Sequence, residues 1–285
     1  MTVSLERTFR VRHYECDAYE NVYYTNYLRY IQEAAMDASA SLGFDAAWYA
    51  GHGTTWMVRD TEIEYLRQLR YGDSVRVMTW VENFRKAVSR RAYQLTLPDS
   101  GELVAHAGTE WVYLDAARGR LTRIPDEFKA RFFPDGLSED LPPRERFPEA
   151  PRPSVGVFTQ RRRVEWRDID PAQHVNNSVY LAYAEDSAVE AAMAVGWPPS
   201  RMREAGYAMR VTRHRIEYKI SALLGDDLEI ATWLESRDDA ATRYFEMTRI
   251  QDGAVLARAL ADVEWYDVAT GARIAIPAEF RSTTR

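Results

Sequence analysis

The chain has 285 residues, is 46% hydrophobic and 12% aromatic, and carries a formal net charge of −6. That length suits two domains of ordinary size or one large one; the acidic balance argues against non-specific nucleic-acid binding, and a single cysteine, Cys16, excludes an internal disulfide or a cysteine-rich metal site. No apolar run is long enough to span a bilayer, and Met1 to Arg12 alternates charged and apolar residues, unlike a signal peptide or anchor, so a reducing, cytoplasmic setting is expected.

The first predicted element is a short alternating strand around Phe9 and Val11. A polar loop follows, Tyr14-Glu15-Cys16-Asp17-Ala18-Tyr19-Glu20-Asn21-Val22-Tyr23. A helix is predicted from about Tyr24 to Leu42, with an apolar stripe at Tyr27, Ile31, Ala34, Ala38 and Leu42 and a glycine stop at Gly43. At this length the helix spans about 28 Å, enough to cross a small domain. Small residues dominate its stripe, so a sheet curled closely around it is expected. Strands rich in Val, Trp, Tyr and Thr come next, joined by turn signals at Tyr71-Gly72-Asp73, Pro98-Asp99-Ser100-Gly101 and Asp115 to Gly119. From Pro134 to Gly156 lie six of the twelve prolines, which predicts a semi-extended connector.

The order then repeats. Val164 and Trp166 open a second alternating strand, and the helix recurs from about Asn177 to Val195 with the stripe Tyr180, Ala184, Ser187, Ala191, Val195 and the stop Gly196. At an offset of 153, Asp17 falls on Asp170, Val22 on Val175, Ile63-Glu64-Tyr65 on Ile216-Glu217-Tyr218, Gly72-Asp73 on Gly225-Asp226 and Thr79-Trp80 on Thr232-Trp233. The offset then drops to 152, as if a loop had lost one residue, and Gly101 meets Gly253, Asp115 meets Asp267, Gly119 meets Gly271, Pro125 meets Pro277 and Phe128 meets Phe280. The period is too long for a solenoid unit, so each copy is expected to be a whole α+β domain. The boundaries read as 1–133 and 157–285, with the connector 134–156 between them.

The loop before each helix is the most polar matched segment. An Asp there is ordinarily an Asx-turn or N-cap residue. Asp17 and Asp170, however, stand seven residues ahead of their helices, too far to cap them simply, and recur in both copies. A helix start offers unclaimed N–H groups and a positive dipole end. A carboxylate across from such donors suits hydrolysis of an acyl group: the donors polarise the carbonyl while the carboxylate attacks it or activates water.

The first loop and helix resemble the 4-hydroxybenzoyl-CoA thioesterase-type hotdog enzymes, whose pattern runs Asp-x-Asp-x-x-Gly-x-Val-x-x-x-x-Tyr. The second loop, Asp168-Ile169-Asp170-Pro171-Ala172-Gln173-His174-Val175-Asn176-Asn177, is similar to that of the acyl-ACP thioesterases, themselves double hotdogs. This resemblance implies two hotdog domains in tandem, each a long central helix wrapped by an antiparallel β-sheet, paired as an internal pseudo-dimer that joins its sheets. It implies an acyl thioester hydrolase that cleaves acyl-CoA or acyl-ACP to free acid and thiol without a cofactor. Asp17 and Asp170 become the catalytic carboxylates, and His174 matches the histidine of the acyl-ACP enzymes. The N–H of Tyr24 or Asn177 takes the oxyanion position, and Asn21, Tyr24 and Asn177 are candidate substrate contacts. Three positions depart from the patterns: Glu15 replaces the first Asp, Glu20-Asn21 replaces Gly-His or Gly-Val, and Ala172 stands where plant acyl-ACP enzymes carry an Asn.

Other residues also bear on the chemistry. Cys16 aligns with Ile169, which disfavours a nucleophile. His13, His52, His106 and His214 have no metal-ligand spacing, so no metal site is expected. Glu33 and Asp37 recur as Asp186 and Glu190 on the face opposite the stripe; solvated acids are the plain reading, and contact of Glu33 or Asp186 with the pocket of the neighbouring copy is the functional one. Basic residues cluster at Arg85-Lys86, Arg90-Arg91 and Arg161-Arg162-Arg163; Arg85 and Lys86 are candidates for the phosphates of CoA or phosphopantetheine, against plain surface charge. The rival functions are a hotdog dehydratase or hydratase, whose His-x-x-x-x-Phe-Pro-Gly run is absent, and a non-catalytic acyl-thioester-binding protein.

Overall fold

The computed structural model describes residues 2–136, 145–151, 153, 156–237 and 240–277. Part of the expected connector, and Phe280, lie outside the described residues. The chain divides into two compact units, Met1–Arg146 and Phe147–Arg285.

In the first unit, strand β1 (Ser4–Arg10) leads into helix α1 (Tyr24–Ser41), a short helix α2 (Ala46–His52) and the strands β2 (Thr54–Tyr65), β3 (Ser74–Arg85), β4 (Val88–Thr96), β5 (Leu103–Asp115) and β6 (Arg120–Leu121). Helix α3 (Asp126–Phe132) closes it. The sheet order is β1-β3-β4-β5-β2, antiparallel throughout, with β6 paired to β5. Helix α1 packs on β1 and β3. Its expected stripe is buried except for Leu42, which is half-buried, and the buried face is wider than expected because Leu28, Tyr30 and Ala35 join it. Gly43 ends the helix at φ +89°, a left-handed conformation that costs glycine little.

The short helices were not foreseen. Asp45 caps α2 by accepting the Trp48 N–H at 2.8 Å, which helps this short, seven-residue helix to form. Beneath it lies an aromatic cluster of Phe44, Phe84, Tyr113, Phe128, Phe132 and Phe133, with Val81 and Ile124.

The second unit repeats the order: β7 (Phe158–Arg163), α4 (Asn177–Ala194), α5 (Pro199–Glu204), β8 (Tyr207–Tyr218), β9 (Asp227–Arg237), β10 (Ala240–Arg249), β11 (Val255–Asp267) and β12 (Arg273–Ile274). Its sheet runs β7-β9-β10-β11-β8, with β12 on β11. Val195 of the expected stripe is exposed, because the helix has already ended at Ala194.

The one-residue change of offset is not a loop deletion. In the first unit Trp80 faces Ala92 but Asn83 faces Arg90, so β3 carries an extra residue in a bulge. The β9–β10 ladder keeps one register throughout. Bulges bend and twist a strand locally, so the two sheets differ here in curvature rather than in loop length.

His214 on β8 is buried, and burial holds its imidazole down to about 3, so it folds neutral. The unfolded chain protonates it near its ordinary 6.5, and so binds more protons than the folded chain below that pH. Stability is therefore expected to fall as pH drops from 6.5 toward 3. Urea midpoints at pH 7.5 and 4.5 should differ more for the parent than for His214→Gln; equal acid loss in both would assign the sensitivity to other groups.

Candidate active site

In the second unit the chain leaves β7 and makes one 3-10 turn, Trp166–Asp168. Asp168 is buried and accepts the Glu165 N–H at 2.8 Å. The same carboxylate oxygen accepts the Tyr183 hydroxyl at 2.7 Å, which fastens the loop to α4. The Asp168 carbonyl accepts the Asn176 N–H at 2.9 Å, and Ile169 bridges Val175, so the two arms of the loop are held side by side.

Asp170 sits at the head of this loop. Its N–H donates to the His174 carbonyl at 3.0 Å and its carbonyl accepts the Gln173 N–H at 2.9 Å, with Gln173 left-handed at φ +64°. Oδ1 accepts the Ala172 N–H at 2.9 Å, an Asx-turn. Oδ2 accepts the Asn176 side-chain amide at 3.2 Å. The His174 Nδ1 lies 3.2 Å from the Val175 carbonyl and 3.9 Å from Asp170 Oδ1. The tautomer that satisfies that carbonyl has its proton on Nδ1 and leaves Nε2 as an acceptor.

Asn176 also caps α4. Its Oδ1 accepts the Ser178 N–H at 2.9 Å and the Ser178 hydroxyl at 2.8 Å, and its carbonyl accepts the Val179 N–H at 2.9 Å. The intervening Asn177 N–H has no hydrogen-bond acceptor among the described residues. The Asn177 carbonyl is taken by the Tyr218 hydroxyl at 2.9 Å. One residue, Asn176, thus ties the Asp170 carboxylate to a helix start that keeps a donor open.

The first unit builds the same frame with different contents. Glu15 replaces Asp168: buried, it accepts the Arg12 N–H and the Tyr30 hydroxyl, each at 2.7 Å. Its longer side chain does the same fastening, so the departure at Glu15 leaves the frame intact. Asp17 Oδ1 accepts two backbone N–H groups, of Tyr19 at 2.8 Å and Asn21 at 2.9 Å. Asn21 stands where His174 does and bridges Arg70. Tyr23 stands where Asn176 does, with no side-chain cap bond and 44% exposure. Asp17 therefore has the ordinary turn-holding role, without the amide and imidazole that surround Asp170.

The remaining candidates are spread out. Tyr24 packs at the start of α1 against Tyr65, ring centroids 4.6 Å apart. Glu33 is exposed. Arg162 of β7 donates to Asp186 at 2.6 Å, with the guanidinium 4.4 Å from the Tyr183 ring centre, because that face of α4 lies against its own edge strand. Asp37 pairs with Arg7 in the same way. Arg85 and Lys86 turn between β3 and β4, whereas the Asp17 loop adjoins the Ser74 end of β3, about 36 Å away along the strand. The first unit does not bring them to its own loop. Burial, then Asp17, Glu15 and Glu20, push the Cys16 thiol up, which opposes a thiolate nucleophile. Among the described residues no group of three His, Cys, Asp or Glu could hold a metal ion.

The loop pattern alone does not reveal the roles of Asn176 and Tyr183, or the fastening by buried Glu15 and Asp168 in their respective units. The cap preference for Asn just before a helix would have pointed to Asn176. The offset of 153 matches Tyr30 to Tyr183 and Glu15 to Asp168, so the repeat also carried the fastening.

Residues 2–132 match the family model described as the acyl-ACP thioesterase N-terminal domain, and residues 164–283 match the thioesterase-like superfamily. Among curated proteins, the chain is 23% identical to acyl-[acyl-carrier-protein] hydrolase FATB2 of Cuphea viscosissima, over 96% of this chain and 65% of that protein. It is 24% identical to the palmitoyl-acyl carrier protein thioesterase of Arabidopsis thaliana, over 91% and 63% respectively. The chain thus spans less than two thirds of these relatives' length. Among solved structures, the 12:0-ACP thioesterase from Umbellularia californica superposes with a TM-score of 0.73 at 20% identity, covering 93% of this chain and 97% of that one. An acyl-ACP thioesterase from Bacteroides thetaiotaomicron gives 0.72 at 18% identity, covering 92% and 98%. At such identities the superpositions establish the hotdog fold and nothing finer.

Proposed function

We propose a tandem pair of hotdog domains that hydrolyses acyl-ACP, with the Asp170 loop as the working site, from the match of residues 2–132 to the acyl-ACP thioesterase N-terminal domain and of residues 164–283 to the thioesterase-like superfamily. The observation that carries this reading is the Asp170 carboxylate held by the Asn176 amide at 3.2 Å, beside the open Asn177 N–H. No cofactor enters the scheme.

Water is deprotonated by Asp170, with His174 orienting it, and its oxygen adds to the thioester carbon. Negative charge grows on the former carbonyl oxygen and meets the Asn177 N–H at the positive end of α4. The carbon–sulfur bond then breaks, and the thiolate leaves with the proton that Asp170 took from water. Acid and thiol are the products, so atoms and charge balance. Ala172 at the position of a plant-enzyme Asn means that the chain must rely on Asp170 and His174, with Asn176 as the positioning amide.

The test is release of free thiol from acyl groups of one length carried on acyl-carrier protein or on CoA. Higher kcat/KM on the protein carrier is expected. Absence of hydrolysis on both carriers across a range of acyl lengths would overturn the reading in favour of a binding protein.

A further inference from the structure

Arg91 follows the surface residue Arg90 in the basic cluster of the sequence. Strand alternation separates them: Arg90 pairs with Glu82 at 2.9 Å on the outer face, while Arg91 points inward and is 5% exposed. No carboxylate among the described residues pairs with Arg91. Its one hydrogen bond is long, 3.4 Å to the Thr79 hydroxyl, and its guanidinium lies 5.5 Å from the Phe132 ring centre. A buried, unpaired charge is costly, so a site that keeps one has a use for it.

Its neighbours on the inner face share the trait. Thr109 faces both Arg91 and Thr61 across the sheet, and Ser89, two residues from Arg91, faces Trp111. The Thr61 hydroxyl is buried and bonded to no protein atom; the buried Tyr93 hydroxyl and Trp111 indole N–H make no well-formed hydrogen bond, although Thr109 and Trp111 both lie against the Tyr93 oxygen. Tyr49 of α2 acts electrostatically on Arg91 from the helix side. The guanidinium and the indole only donate, and the hydroxyls can donate too. What Arg91 lacks, among the described residues, is a carboxylate.

The second unit is an internal comparison. It keeps Arg243 bonded at 3.4 Å to Thr232, as Arg91 is to Thr79. Around it, however, Phe245 replaces Tyr93, Ala261 replaces Thr109, Val263 replaces Trp111 and Met202 replaces Tyr49, while His214 replaces Thr61. The buried arginine alone belongs to the shared fold; the ring of donors belongs to the first unit.

We propose that the interior of the first unit binds an acyl group bearing a carboxylate away from its thioester, with Arg91, Tyr93, Trp111 and Thr61 donating to it. The apolar inner face beside the cluster, including Val77, Val81 and Leu95, takes the methylenes. This rests on the thioesterase reading for its substrate class. The site itself can be tested without hydrolysis.

Calorimetry should compare a straight-chain dicarboxylic acid with the monocarboxylic acid of the same length, on the intact chain. Kd for the dicarboxylic acid is expected to be at least tenfold lower. Arg91→Met should erase that ratio, and Tyr93→Phe, which removes one oxygen and keeps the packing, should shrink it about threefold, an energy of about 0.7 kcal/mol. Arg243→Met should leave it unchanged. Preference for the monocarboxylic acid, or a ratio unaltered in Tyr93→Phe and in any folded Arg91→Met, would overturn the proposal and leave the cluster as a structural or water-holding feature. Hydrolysis of acyl-ACP ending in methyl or carboxylate is measured in parallel. Hydrolysis of both at equal rates, with no binding ratio, sinks the carboxylate site and spares the thioesterase. Arg91-dependent binding without any hydrolysis supports the site and sinks the thioesterase.

Discussion

Asp170→Asn should lower kcat for thioester release at least a hundredfold, about 2.7 kcal/mol of transition-state stabilisation, while Asp17→Asn changes it less than threefold. The asymmetry follows from what each carboxylate touches. Asp17 Oδ1 accepts two backbone N–H groups, a turn-holding task that an Asn oxygen performs equally well. Asp170 keeps one oxygen for the Ala172 N–H and turns the other toward the Asn176 amide and the start of α4. An Asn at 170 can still close the turn but cannot take a proton, and its NH2 would confront the Asn176 NH2. That confrontation could loosen the cap, so thermal unfolding must accompany the kinetics. Asn176→Ser separates the two effects: serine still caps α4 but cannot reach Asp170, and about a tenfold loss of kcat with an unchanged melting point is expected. Equal losses from Asp17→Asn and Asp170→Asn would return both loops to the same standing, and full activity in the double variant would remove both from catalysis.

Phe128→Ala should cost about 3–5 kcal/mol of stability, the largest single loss expected in the first unit. Phe128 is 1% exposed and stacks on Phe44 with ring centres 3.9 Å apart. It also meets the rings of Trp48, Tyr49, Trp56, Phe84, Tyr113 and Phe132. Removing it opens a cavity among rings that cannot all move inward, since they are held by several different elements, α2, β2, β3 and β5 among them. Equilibrium urea unfolding followed by tryptophan fluorescence measures the change, because Trp48 and Trp56 line the same cluster. Phe128→Leu should lose less than half as much. A loss under 1 kcal/mol in Phe128→Ala would mean that α3 contributes little to holding the sheet closed.

Much of this protein is written in local pattern. The spacing of Tyr27, Ile31, Ala34 and Ala38, with Gly43 after them, is enough to place α1, and the same spacing after residue 177 places α4, because a helix needs only its own period and its own stop. The repeat disclosed the matched loops and the matched strands. It could not show that the odd residue at Glu82 is absorbed by a bulge, since a bulge is a property of two strands pairing and not of either alone.

The sequence by itself determined the two α+β copies, their helices, and the Asp170 loop with its histidine. Only the tertiary structure decided what meets what. Asn176 rather than Asn177 reaches Asp170, because the cap geometry turns its amide back across the loop. Asp186 meets Arg162 on its own edge strand, and Arg85 and Lys86 lie a strand's length from the Asp17 loop. Arg91 faces inward while Arg90 faces out. Each of these depends on the direction of a side chain relative to an element distant in sequence. Local propensity and periodicity set the elements, but direction and distance are set by how the sheet curls around the helix.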